Sequence, residues 1–121
     1  MEKEKTCKIV FSDIDGTLLT SDGQITEGTK EMILNLEKKG IPFILTSARS
    51  PEGVRVIKRM LGNYAPIIAF CGGLILDNDG NEIYSKMIPL KRALELKAML
   101  DKDFPAVACN TFGGEKWIVD D

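Results

Sequence analysis

A chain of 121 residues, 44% apolar and 28% charged, has the composition of an ordinary globular protein with room for one small core and not two. Its net charge of −2 leaves no basic footprint for nucleic acid or for an anionic membrane surface. The absence of histidine excludes His-dependent triads and His-ligated metals, so acid–base work falls to carboxylates, lysine, tyrosine or cysteine.

The chain reads as alternating strands and helices. Residues 8–12 form a short, mostly apolar strand closed by an Asp-Gly turn at Asp15-Gly16. Thr26 is a good N-cap for a helix that carries Met32, Ile33 and Leu36 on one face and stops at Gly40. A buried strand is expected over residues 41–45, with Pro42 tolerated at its start. Ser50-Pro51 then sets a cap and a first-turn proline before a second helix, whose Val54, Ile57 and Leu61 share a face and which Gly62 ends. Residues 66–70 make a third apolar strand, broken by Gly72-Gly73. Beyond it, Leu74-Ile75-Leu76 and Ile83-Tyr84 read as a hairpin around a polar turn at residues 77–80. Residues 90–100 follow as an amphipathic helix, and residues 106–109 and 116–119 as two strands joined through Thr111-Phe112-Gly113-Gly114.

Solid apolar strands alternating with helices imply a parallel sheet with right-handed crossovers. Such sheets place their ligands at the carboxyl ends of the strands, where Asp13, Ser47 and Cys71 each fall. Asp13 and Asp15 are spaced to converge on one side of extended chain, and two converging acids favour a metal cation or a shared proton. Gly16 lets the backbone turn sharply and approach a ligand. The plainer reading is a strand followed by an Asp-Gly turn. Against it, Asp-x-Asp-Gly-Thr fixes four identities, expected by chance in about one chain in a thousand of this size. Ser47 taken alone is a turn or cap residue, and its place one strand after the paired acids is what makes it a site residue. Arg49 can meet substrate or pair with a carboxylate. Cys71 reads as a small buried filler, since nothing nearby activates it as a nucleophile.

Cys7, Cys71 and Cys109 are odd in number, widely spaced and in no Cys-x-x-Cys pair, which suggests reduced thiols in a cytoplasm. The opening Met1-Glu2-Lys3-Glu4-Lys5 lacks the apolar segment of a secretory signal, and no apolar run approaches a membrane span. No membrane or nucleic-acid partner is expected.

The run Asp13-Ile14-Asp15-Gly16-Thr17-Leu18-Leu19 resembles the first motif of the haloacid dehalogenase (HAD) superfamily of aspartyl phosphatases. Ile44-Leu45-Thr46-Ser47-Ala48-Arg49 resembles the Thr-Gly-Arg motif of its Cof-type subgroup, and residues 70–77 resemble a segment that usually reads Asn-Gly-Ala-Leu-Ile, with Cys71 in place of the asparagine. The resemblance implies an α/β fold: a Rossmann-like (HAD-like) parallel sheet with helices on both faces, incomplete here, followed by the start of an α+β cap. Residues 1–85 would be the first half of the core and residues 86–121 a partial cap.

It further implies an Mg²⁺-dependent phosphohydrolase of small phosphorylated metabolites, such as sugar phosphates or nucleotides. Asp13 would be the nucleophile that forms an aspartyl-phosphate and would also bind Mg²⁺. Asp15 would be the acid and base, contacting the metal through its carbonyl. The phosphate would be held by the N–H groups of Ile14 and Asp15 and by Ser47, Ala48 and Arg49. Cof-type enzymes are roughly twice this length, and the resemblance supplies no counterpart here for the family's later lysine and acidic residues. Trp117-Ile118-Val119-Asp120-Asp121 has the shape of the later acidic motif, but an acidic chain end fits it better. The alternative function is therefore an inactive, shortened remnant that binds metal or phosphate or acts as an interaction module. In either case the first strand would have an unpaired edge, through which self-association is expected.

Overall fold

Val10 donates its N–H to the Pro42 carbonyl at 3.0 Å and opens a parallel pairing that carries the first carboxylate to its place. The computed structural model describes residues 6–120. The opening Met1-Glu2-Lys3-Glu4-Lys5 and Asp121 lie outside the described residues, and with them the reading of that opening as free of a secretory segment. The elements run β1 (Val10–Asp13), α1 (Glu27–Lys38), β2 (Phe43–Thr46), α2 (Pro51–Leu61), β3 (Ile67–Ala69), a 3-10 turn (Phe70–Gly72), β4 (Leu74–Leu76), β5 (Glu82–Ser85), α3 (Leu90–Asp103), β6 (Asn110–Gly113) and β7 (Lys116–Val119).

Strands β1 to β5 form one mixed sheet in sequence order. β1, β2 and β3 are parallel, and the expected hairpin adds β4 and β5 antiparallel. The register sets Asp13 beside Thr46 and Leu45 beside Ile67. β1 starts later than expected and includes Asp13, while β2 begins after Pro42, which has no N–H to give to a ladder.

The local signals for the first two helices correspond to what forms. Thr26 accepts from the Thr29 N–H at 3.2 Å, and Ser50 accepts from the Gly53 N–H at 3.3 Å with Pro51 in the first turn. Gly62 closes α2 at φ +77°, the left-handed conformation that favours glycine.

The Rossmann-like arrangement is present, but of the helices expected on both faces, α1 and α2 lie on one. Two right-handed crossovers that step in the same direction, β1 to β2 to β3, must leave their helices on the same side. That side holds the core: Phe43, Leu45, Ile67 and Ala69 from the sheet, Ile33 from α1, and Val54, Ile57 and Leu61 from α2. On the opposite side Phe11, in register with Ile44, is 57% exposed.

The chain divides into two compact units, one ending at Ser85 and one beginning at Lys86. In the second, the strand expected over residues 106–109 is absent, and β6 instead pairs with β7 as an antiparallel ribbon. Its turn is only Gly114-Glu115, with Gly114 at φ +61°, so the paired strand falls four residues later and takes in residues read as the loop. Lys97 of α3 binds Asp101 at 2.5 Å and Asp120 at 2.9 Å, tying the helix to the chain after β7. Among the described residues, no helix is long and apolar enough to cross a membrane.

Candidate functional site

The carboxyl ends of β1, β2 and β3 lie side by side, and the loops that leave them build the site. At the end of β1, Ile14 is fully buried, and its carbonyl accepts from the N–H groups of Thr17, Leu18 and Leu19 at 3.4, 3.0 and 3.1 Å. Gly16 takes φ +75°, so the turn closes directly beneath the two acids. A buried anchor flanked by exposed Asp13 and Asp15 holds both carboxylates outward. Thr17 donates from its hydroxyl to Asp13 Oδ2 at 3.4 Å, a long bond that leaves Asp13 Oδ1 outside this contact.

After β2 the chain turns through Ser47, Ala48 and Arg49 into α2. Ser47 is buried. Its N–H donates to the Ile68 carbonyl at 3.0 Å, and its Oγ accepts from the Arg49 N–H at 3.2 Å. The hydroxyl therefore keeps its own hydrogen to donate. Ala48 is exposed and offers only its backbone. Arg49 reaches across to Asp15 in a two-pronged pair, Nε to Oδ2 at 2.8 Å and Nη2 to Oδ1 at 2.6 Å.

The loop after β3 fastens this turn from the other side. Cys71 donates its N–H to the Ser47 carbonyl at 2.9 Å, and Phe70 donates to the Arg49 carbonyl at 3.0 Å. Phe70 and Cys71 hold φ values of +50° and +55°, which side chains other than glycine rarely adopt. Cys71 is exposed, which corrects its reading as a buried filler: the left-handed turn swings it out of the core.

The structure thus brings Asp15, Ser47, Arg49 and Cys71 into one bonded group, with Asp13 on the strand beside Thr46. Of the two partners open to Arg49, it takes a carboxylate, that of Asp15, itself a candidate site residue. The sequence reading assigned no role to Thr17 or Phe70. Thr17 stands inside the Asp-x-Asp-Gly-Thr run and could have been found there, whereas nothing local marks the Phe70 N–H as a tie to Arg49.

The bonds from Arg49 hold the Asp15 carboxyl below the ordinary aspartate range, with burial opposing them and charge attraction reinforcing them. The same pairing raises Arg49. A hard cation such as Mg²⁺ takes one or two carboxylates and keeps several waters. Among the described residues no cluster of three or more Asp, Glu, Cys or His side chains could hold a metal alone. Of the two acids, the exposed Asp13 carboxylate, with Oδ1 outside the Thr17 bond, fits such an ion, whereas the Asp15 carboxylate is committed to Arg49.

A family model for haloacid dehalogenase-like hydrolases matches residues 10–121. A Haemophilus influenzae protein named "Putative phosphatase" is 40% identical over 105 residues, which are 87% of this chain and 40% of that protein. The phosphoglycolate phosphatase of Thermoplasma volcanium is 38% identical over 74 residues, 61% of this chain and 33% of that enzyme. The crystal structure of a haloacid dehalogenase-like hydrolase from Bacteroides thetaiotaomicron superposes with a TM-score of 0.84 at 21% identity, over 96% of this chain and 44% of that one, a likeness of fold. The chain thus spans 33–40% of the length of these two curated relatives.

Proposed function

The chain belongs to the haloacid dehalogenase-like hydrolases, in their Cof-type subgroup, and from that membership we propose that its paired acids serve the hydrolysis of small phosphorylated metabolites through an aspartyl-phosphate. The observation that carries this reading is the meeting of Asp13 and Asp15 at the end of β1 with the Ser47–Arg49 turn at the end of β2.

An Asp13 Oδ attacks the phosphorus, a new O–P bond forms, and the bond to the leaving oxygen breaks as that oxygen takes a proton from Asp15. Water then attacks the phosphorus while Asp15 takes back a proton; the Asp13–phosphorus bond breaks and orthophosphate leaves. The Ser47 hydroxyl and the N–H groups of Ile14, Asp15 and Ala48 are donors for the phosphoryl oxygens, and Arg49 offers them a cation. Mg²⁺, held by Asp13 and the Asp15 carbonyl, would supply charge neutralisation on the phosphoryl group. Sugar phosphates and nucleotides are the substrates this reading favours, and the Thermoplasma relative's name is itself that of a phosphatase of a small phosphorylated acid. A reducing compartment, the cytoplasm, fits three unpaired thiols.

A second reading is a metal- or phosphate-binding module without turnover. It is favoured by the two-pronged pairing that commits both Asp15 carboxylate oxygens to Arg49 and away from acid–base work. Turnover of an aryl phosphate with Mg²⁺ separates the two. The phosphohydrolase reading expects turnover that Asp13→Asn abolishes and Ser47→Ala lowers by about 10²–10³-fold. Phosphate binding with no turnover supports the module, and turnover that survives Asp13→Asn refutes the covalent route.

A further inference from the structure

We propose that Arg49 is a displaceable latch on Asp15: the guanidinium edge that grips the carboxylate is the edge a phosphoryl group would take, so phosphoryl binding draws Arg49 away and frees Asp15 for the leaving oxygen. This inference rests on the phosphohydrolase reading. The Nε and Nη2 donors of Arg49 form a planar fork, and both prongs are used by Asp15 at 2.8 and 2.6 Å. Such a fork matches one carboxylate or one phosphate, and the same edge cannot serve both.

The base of Arg49 is fastened through its main chain, whereas, among the described residues, its head is held by Asp15 alone. Its N–H is bonded to Ser47 Oγ and its carbonyl accepts from Phe70, so the residue is fastened to the turn that presents the Ser47 hydroxyl. The side chains of the pair are 34% and 59% exposed, and an ion pair that solvent reaches on this scale is weak and readily exchanged for a more highly charged anion. With both carboxylate oxygens taken, Asp15 is turned toward Arg49 and not toward a leaving group. Exchange of the guanidinium links the arrival of a phosphoryl group to the release of the residue that must act on it.

The test is a double-mutant cycle on the affinity of inorganic phosphate, measured by calorimetry at constant Mg²⁺ for the wild type, Asp15→Asn, Arg49→Ala and the double variant. The latch predicts that Asp15→Asn tightens phosphate about fivefold or more by removing the competitor for Arg49. Arg49→Ala weakens phosphate, and in that background Asp15→Asn changes it less than about twofold. Arg49→Lys, which keeps the charge and loses the fork, retains phosphate binding with a reduced Asp15→Asn effect. Equal tightening by Asp15→Asn with and without the Arg49→Ala substitution overturns the latch and leaves simple charge repulsion. So does any weakening caused by Asp15→Asn alone. Phosphate bound by none of the proteins overturns the phosphohydrolase reading as well, which separates the two failures.

Discussion

Cys71 donates its N–H to the Ser47 carbonyl at 2.9 Å while its own backbone stands at φ +55°, a conformation that leaves a side chain crowded against the following carbonyl. The loop after β3 thus accepts backbone strain in the act of fastening the Ser47–Arg49 turn. Strain at such positions is retained where the surroundings over-determine the conformation.

Relief of that strain is measurable. Cys71→Gly should stabilise the fold by up to about 1 kcal/mol, whereas Cys71→Val, β-branched at positive φ, should destabilise it by about 1–2 kcal/mol. Denaturant titration checks both. Equal stability of the two variants would show that the turn relaxes in solution.

A core concentrated on one face of the sheet, with Ile44 buried on the other, predicts unequal penalties for truncation. Leu61→Ala, in a fully buried residue of α2, should cost about 2–5 kcal/mol. Phe11→Ala, on the uncovered face, should fall within about 0.5 kcal/mol of wild type. A large loss for Phe11→Ala would mean that its face is covered in solution.

Among the described residues β1 pairs only with β2, so its outer edge is open to a second copy of the chain. Ile9 and Phe11 beside that edge are 43% and 57% exposed, and no charge lies between them to discourage pairing. Sedimentation at rising concentration should show self-association, and Phe11→Lys should shift the protein toward monomer. A wild type that remains monomeric at high concentration would refute this.

Acid should loosen the turn between β4 and β5. The Asp77 carboxylate accepts from the Asn81 side chain at 3.1 Å and from the N–H groups of Asn81 and Asp79 at 2.8 and 2.9 Å. The bonds from Asn81, helped by those from Asp79 and Gly80 and opposed by burial, hold it below its ordinary value of 3.8. The unfolded chain therefore binds the proton first. The contribution to stability is complete above that ordinary value and is lost as pH falls through the lower folded one. Asp77→Asn should flatten the stability profile in this acid window and leave its neutral part nearly parallel, as denaturation midpoints taken across the two ranges would show.

How much of this was legible in the sequence follows from the range of each signal. Thr26, Ser50-Pro51 and Gly62 act on backbone groups within four residues, and they mark the helix ends they were expected to mark. The placement of Asp13, Asp15 and Gly16 at one exposed turn was legible because it is carried by spacing within that turn. The Asp15–Arg49 pair spans 34 residues and exists only once β1 and β2 are in register. Positive φ at Phe70 and Cys71 was hidden because neither residue is a glycine. The one-sided helices depend on the direction of successive crossovers, which no local pattern encodes.

β1 is four residues long and hydrogen-bonded along one side, while β2 is held on both. Backbone amides in such a strand open to solvent far more often than those of a strand inside the sheet, through local fluctuations that leave the rest folded. Hydrogen exchange should therefore rank the amides of β1 well below those of β2. Asp13 closes this strand, so the aim of its carboxylate is governed by the local opening of β1. A substitution that stiffened this edge would change how often Asp13 is correctly placed without moving the melting temperature of the whole.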